Sequence, residues 1–184
     1  MIKLHFGCGS IILKDWINID VRPRNNQTQK VDLSKPLPWQ RASVDYVYSE
    51  AFFEHLTKVS QIRLLKECYR ILKPGGVLRI GCPDLYCIVK RYLADKIHLA
   101  SWAKDQNLKT ACAALNWLFY GKDRYKTALG HQYLLDFEEL NAELKLAGFK
   151  TINRVVWGKS KHKVFQNLET RPAEQIDLIV EAIR

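Results

Sequence analysis

The sequence predicts an α/β fold built on a mostly parallel sheet with both faces covered. Three observations carry that prediction. Short β-branched or aromatic runs alternate with segments of helical periodicity. The first run, Leu4-His5-Phe6, breaks into Gly7-Cys8-Gly9-Ser10, so glycine bares the end of a first strand. In open α/β sheets, the place beyond the carboxyl end of the first strand is where nucleotide-like ligands bind. Finally, Lys73-Pro74-Gly75-Gly76 stops a helical segment and turns the chain into the next apolar run.

Taken in order, strands are expected at 3–6, 17–21, 44–48, 77–81, 151–157 and 176–182. Ile62, Leu65, Tyr69 and Leu72 recur at helical spacing and predict a helix over 60–72, with Ser60 as its N-cap. Asp136 and Glu139 form a capping-box pattern for a second helix over 136–147. Phe137, Leu140 and Leu144 line one face of it, and Gly148 supplies the closing left-handed residue. The stretch 85–129 reads as two or three amphipathic helices rich in aromatics, an insertion of about 85–130 beside the sheet. Its aromatics, Trp117 and Tyr120 among them, fit either a local core or a lid over the strand ends.

A chain of 184 residues with 47% apolar and 26% charged residues fits one soluble globular domain, 1–184. The first residues run directly into strand pattern without the make-up of a signal peptide. No apolar run approaches the roughly 20 residues that span a bilayer. Five cysteines, Cys8, Cys68, Cys82, Cys87 and Cys112, lie scattered, with no pair at zinc-knuckle or redox-motif spacing. That pattern fits reduced thiols, a cytoplasmic setting and no metal site, with Cys68 and Cys112 as small core residues. The net charge of +10 is uneven. From Tyr86 to Tyr133, eight basic residues stand against three acids, and from Lys150 to Arg171 six stand against one. Two excesses of five in the C-terminal half equal the whole net charge and suggest an anionic partner or a solvated basic face.

Two acids suit a nucleoside. Asp20, ending Ile17-Asn18-Ile19, can accept from both hydroxyls of a ribose. Asp32 can accept from an adenine amino group while Leu33 packs on the ring, or it can form an Asx turn ahead of Pro36 and Pro38.

Three stretches then resemble one family. They are Phe6-Gly7-Cys8-Gly9-Ser10; Asp32-Leu33 through Pro36-Leu37-Pro38 to Val44-Asp45-Tyr46-Val47-Tyr48-Ser49-Glu50 and Glu54-His55-Leu56; and Glu67-Cys68-Tyr69-Arg70 through Lys73-Pro74-Gly75-Gly76-Val77-Leu78. His131, Asp136-Phe137-Glu138-Glu139-Leu140 and Ala147-Gly148-Phe149 are similar to the tail of the same group. The chain thus resembles a class I S-adenosylmethionine-dependent methyltransferase of the type 11 group. The resemblance implies a Rossmann-like three-layer sandwich whose sheet has an antiparallel C-terminal strand. It also implies that Phe6, Gly7, Cys8 and Gly9 pass under the methionine part of S-adenosylmethionine. Asp20 would hold the ribose, Asp32 and Leu33 the adenine, and Ser49 and Glu50 would line the wall near the sulfonium.

The chain departs from the family pattern at two positions. His5 stands where the family usually has an acid, and Ile11 where a glycine is common. The short link from Gly9 to Asp20 predicts a stunted or missing first helix. A dinucleotide fingerprint fits less well, because Ile12 occupies its third glycine position and Asp20 comes too soon. Methyl transfer asks mainly for in-line positioning, with a base where the acceptor carries a proton. His55, Asp84 and His131 are the candidate bases. Asp84 could equally cap the helix that follows, and His131 could be a buried hydrogen-bonding residue. The expected acceptor is an anionic small molecule or a glycan, held under the insertion with Lys122, Arg124 and Lys126 beside it. An RNA acceptor, or a binding module that has lost catalysis, are the alternatives.

Overall fold

The computed structural model describes residues 1–120 and 130–184. Seven strands form one sheet, β1 (Lys3–Phe6), β2 (Ile17–Asp20), β3 (Thr28–Lys30), β4 (Val44–Glu50), β5 (Leu72–Cys82), β6 (Thr151–Arg154) and β7 (Leu178–Ile183). Their order is β3-β2-β1-β4-β5-β7-β6. The first five are parallel and β7 runs antiparallel to both β5 and β6. This is the Rossmann-like arrangement expected.

Helices α1 (Lys58–Ile71) and α5 (Phe137–Ala147) lie side by side on one face of the sheet. Leu64, Leu65, Cys68, Leu140 and Leu144 from these helices meet Leu4, Phe6, Ile19, Val47, Leu78 and Val180 from the strands in the main core. Thr57, not Ser60, caps α1, its hydroxyl accepting from the Ser60 amide, so the helix begins at Lys58, two residues before the expected start. Asp136 caps α5 as the capping-box pattern predicts. Lys73-Pro74-Gly75-Gly76 is not a separate turn. Arg184 pairs with Gly75 and Gly76, so these residues form the irregular start of β5, where the register with β4 shifts.

No helix connects β1 to β2, β2 to β3 or β3 to β4. The opposite face of the sheet is covered instead by the β1–β2 connection and by the long β6–β7 connection, 155–177. Phe165 in the latter packs on Tyr46, Tyr48 and Trp16. Strand β3 was not expected, since Thr28-Gln29-Lys30 carries no apolar alternation and forms through its edge pairing to β2. Strand β6 stops at Arg154, short of the expected 157, and Val156 and Trp157 turn outward.

Within the insertion, α2 (Leu85–Leu93), α3 (Ser101–Asp105) and α4 (Ala111–Tyr120) surround a small core of Ile88, Ile97, Ala103, Ala114 and Leu118. Cys68 is buried as expected, but Cys112 is exposed, because α4 packs through Ala114 and Leu118 on its other side. Tyr86, Tyr92, Phe119 and Tyr120 are likewise exposed rather than core. Lys122, Arg124 and Lys126 lie outside the described residues. Among the described residues no helix is long and apolar enough to cross a membrane.

Candidate active site

Beyond the carboxyl ends of β1 and β4 the glycine loop opens onto a cavity of about 410 Å³. Gly7, Cys8, Gly9, Ser10 and Ile11 form one side, and His5, Arg24, Glu50, Ala51, Thr170 and Arg171 the rest. Both loop glycines take left-handed backbone, φ +64° at Gly7 and +55° at Gly9. At Gly7 a Cβ would stand 2.4 Å from the Phe52 ring, so packing admits no side chain there. At Gly9 nothing lies within 4 Å of that position, which leaves the crest of the loop bare toward a ligand.

Asp20 closes this loop from β2. Its carboxylate accepts from the Gly9 amide at 2.9 Å and from the Arg22 amide at 2.8 Å. A carboxylate offers about four acceptor positions, so two remain for other donors. His5, where an acid is usual, is buried and its Nδ1 donates to Asn18 Oδ1 at 3.0 Å; burial depresses its pKa. Asn18 also binds the Leu13 amide and carbonyl and the Trp16 carbonyl. These bonds hold the short β1–β2 connection, which has no helix, as the short link from Gly9 to Asp20 predicts.

Glu50 lines the cavity, yet its carboxylate is occupied. It accepts from the Thr170 amide and hydroxyl and from the Arg171 amide at 2.7 Å. It therefore pins the β6–β7 connection over the strand ends. Phe6 and Leu33 are buried in the main core, and Ser49 points to that same face; none of the three lines the cavity. Asp32 forms the Asx turn, accepting from the Ser34 amide and hydroxyl, and these bonds lower its pKa.

A second cavity of about 300 Å³ adjoins the first, and Ala51 and Arg171 line both. Pro83, Ile88, Ile97, Trp117 and Leu118 give it apolar walls drawn largely from the insertion. Its polar lining is Glu54, His55 and His131, together with Arg91, Arg171, Glu174, Gln175 and Asp177. The Glu54 carbonyl accepts from the Gln132 amide at 2.7 Å, and Gln61 Nε2 donates to the Phe53 and Tyr133 carbonyls. Those bonds bring segment 130–133 against the end of β4, so that the His55 and His131 rings meet edge to face at 5.0 Å. Burial, with His55 beside it, pushes the His131 pKa down to about 4, and burial raises Glu54 to about 8.

Asp84 belongs elsewhere. Its carboxylate caps α2 at the Tyr86 amide and pairs with Arg154 at 2.6 Å, and it lines neither cavity. The structure thus brings His55 and His131 together and takes Asp84 away from them. Glu54 and Arg171 are the additions. Glu54 was visible in the Glu54-His55-Leu56 motif, but nothing local marked Arg171, which arrives from the far end of the chain.

Residues 4–80 match the model of the family described as a methyltransferase domain. Solved structures with this fold include a methyltransferase from Thermotoga maritima described as a possible histamine N-methyltransferase. It is 19% identical at a TM-score of 0.59, with 99% of this chain and 81% of that one covered. A second, from Archaeoglobus fulgidus, is 16% identical at 0.57, covering 99% and 85%. A third, from Mesorhizobium loti, is 15% identical at 0.53, covering 100% and 90%. No curated protein matches the sequence. The sheet order and these likenesses give this chain the fold of S-adenosylmethionine-dependent methyltransferases, and residues 4–80, with the glycine loop at the first strand end, match the methyltransferase-domain model.

Proposed function

We propose that this chain is an S-adenosylmethionine-dependent methyltransferase that binds its donor in the glycine-loop cavity and takes a small-molecule acceptor into the adjoining one. The observation that carries this reading is the shared border. Ala51 and Arg171 line both cavities, so a donor in one and an acceptor in the other face each other across the end of β4. When bound, S-adenosylmethionine supplies a methyl group already activated by its sulfonium, which leaves the protein the work of positioning.

In this reading Gly7, Cys8 and the bare crest at Gly9 underlie the methionine portion, on a floor backed by Phe6. Asp20 offers its two remaining acceptor positions to the ribose. Asp32 remains the group for the adenine end, whereas buried Leu33 and Ser49 serve the core. Glu50 acts through Thr170 and Arg171, which it holds as a wall between the two ligands. The apolar enclosure excludes water, and His55 and His131 orient the acceptor and take its proton.

A cavity of about 300 Å³ lies at the lower end of the range for small-molecule sites. It admits a small anion or a sugar-sized group, with Arg171 at the border to meet negative charge. An RNA acceptor would call for an open basic groove with stacking aromatics. All five cysteines are unpaired, which supports a cytoplasmic setting.

The test is a transfer assay with donor labelled on its methyl group, offered small-molecule and RNA fractions side by side. Label is expected in the small-molecule fraction. His131→Asn should slow transfer about a hundredfold, in the range that general acid–base groups contribute, while donor affinity measured by calorimetry stays unchanged. Label found in RNA alone, or wild-type rates in the His131 variant, would overturn the reading.

A further inference from the structure

The floor of the second cavity holds an arrangement that positioning an acceptor does not require. Glu54, His55 and His131 each offer one ligand atom, and these atoms all lie within 4.8 Å of one another. Two ligands on a tetrahedral ion, with bonds of 2.0–2.2 Å, stand roughly 3.3 Å apart. Small side-chain rotations would therefore close the three around one ion.

The surroundings point the same way. Glu54 is 1% exposed, and its Oε2 has no hydrogen-bond partner among the described residues. His131 Nδ1 is likewise buried without one. Buried polar atoms are almost always satisfied, and those that are not call for a missing water or ion. His55 is oriented by the Gly130 carbonyl, which its Nδ1 meets at 3.4 Å, as ligating imidazoles are by a group on their other nitrogen. Two imidazoles and one carboxylate suit borderline divalent ions of the first transition row. With three protein ligands, a fourth position stays open toward the cavity.

We propose that Glu54, His55 and His131 bind a divalent first-row transition ion, such as Zn²⁺, at the floor of the second cavity. Its ligands come from the end of β4 and from segment 130–133, held together by the Glu54 and Gln61 hydrogen bonds. The ion's placement beside the acceptor rests on the reading of that cavity given above, but its binding does not. In that setting it would hold an oxygen of the acceptor and lower the pKa of its proton, taking over from the two imidazoles, whose ligating nitrogens could then accept none.

The whole chain, stripped with a chelator, is titrated with Zn²⁺ by calorimetry and with Co²⁺ by visible absorption, with no donor or acceptor present. One ion per chain is expected, with cobalt bands free of thiolate charge transfer. His131→Ala and Glu54→Gln should each weaken binding at least about a hundredfold, the upper end of what loss of a mere supporting group costs. Cys112→Ser, on the exposed side of α4, should leave it unchanged. Glu54→Gln preserves shape, and retained binding of the demethylated cofactor product shows that a variant is folded. If a variant does not fold, the wild-type chain decides, since a protein that takes up no ion at millimolar Zn²⁺ refutes the site. So does binding that survives in a folded Glu54→Gln or His131→Ala protein, or that disappears only with the cysteines. Because ion uptake is read without transfer, failure of the metal site leaves the acceptor assignment standing, and the reverse.

Discussion

The two faces of the sheet differ at every strand by one residue. On the helix-covered face, Ile17, Leu4, Val47, Leu78, Ala182 and Ile152 stand opposite one another across six strands. One step along each strand lies a second row on the other face, Asn18, His5, Tyr48, Arg79, Glu181 and Asn153. The first row is wholly apolar. The second is almost wholly polar, although most of it is buried.

The difference follows from what covers each face. A helix satisfies its own backbone, so it asks only for apolar surface beneath it. A loop brings unpaired amides and carbonyls, which a buried site must satisfy. The polar row supplies those partners. Asn18 takes Leu13 and Trp16, and Arg79 takes the Lys159 carbonyl. Glu169, itself held by Arg79, takes the Gly158 amide. Glu50, just beyond the row, takes Thr170 and Arg171. Polar residues on the sheet are what let two loops replace the usual helices. The same bonds deliver Arg171 to the border between the cavities.

The strongest way to break this comparison is to remove the centre of the polar row. Arg79 is fully buried between Glu169, with 0% side-chain exposure, and Glu181, with 5%. Arg79→Met leaves both carboxylates buried without their cation and should cost about 3–5 kcal/mol in denaturant unfolding. Leu144→Ala on the helix face, a cavity in an apolar core, should cost about 3 kcal/mol. Only the arginine variant should also weaken donor binding, because the β6–β7 connection loses its anchor. Replacing Arg79, Glu169 and Glu181 together by Met and Leu should recover most of the loss. The remainder measures the Gly158 and Lys159 backbone groups left unpaired. Equal donor affinity in the arginine variant and wild type would refute the anchoring role.

Much of the helix face was legible in the sequence, and little of the loop face was. β1 is predicted to the residue, and α5 with its Asp136 cap to within one. Apolar periodicity and capping residues are local signals that act within a few positions. The polar row has no such signal. His5 reads as a departure from a family pattern, Arg79 is only one position of an expected strand, and Glu169 is the lone acid in a basic segment. Their meaning lies in pairings across 90 and 102 positions, Arg79 with Glu169 and with Glu181. The candidate site divides the same way. Gly7, Gly9, Asp20 and His55 were legible from local motifs, whereas Glu54 with His131, and Arg171 at the border, come together only through the fold.

A milder probe acts at the other end of the row. Asn18→Ala removes four hydrogen bonds at once, one to His5 and three to the β1–β2 connection. The loss should be about 2 kcal/mol, since it leaves a buried imidazole donor and loop backbone groups unpaired. Because that connection carries the glycine loop, donor affinity should fall along with stability, whereas a core truncation of similar cost should leave affinity intact. If Asn18→Ala and such a truncation shift donor affinity equally, the polar row does not position the loop.

The smallest effect comes from an exception on the helix-covered side. Glu143 on α5 is 3% exposed, and neither carboxylate oxygen has a hydrogen-bond partner among the described residues. Burial, with Glu139 nearby, raises its pKa from 4.5 to about 7. The unfolded chain releases this proton near the ordinary value, whereas the folded chain holds it up to about 7, so folding takes up a proton between the two. Stability from this group is therefore fully present at low pH and is lost as pH rises through that window. Glu143→Gln should flatten that part of the pH profile and leave the variant more stable than wild type at pH 8, by on the order of 1 kcal/mol. Glu181 in the polar row should show no such gain, because Arg79 partners it, and Glu181→Gln should destabilise at the same pH. Superimposable pH profiles for wild type and Glu143→Gln would mean that partnering does not separate the polar groups of the two faces.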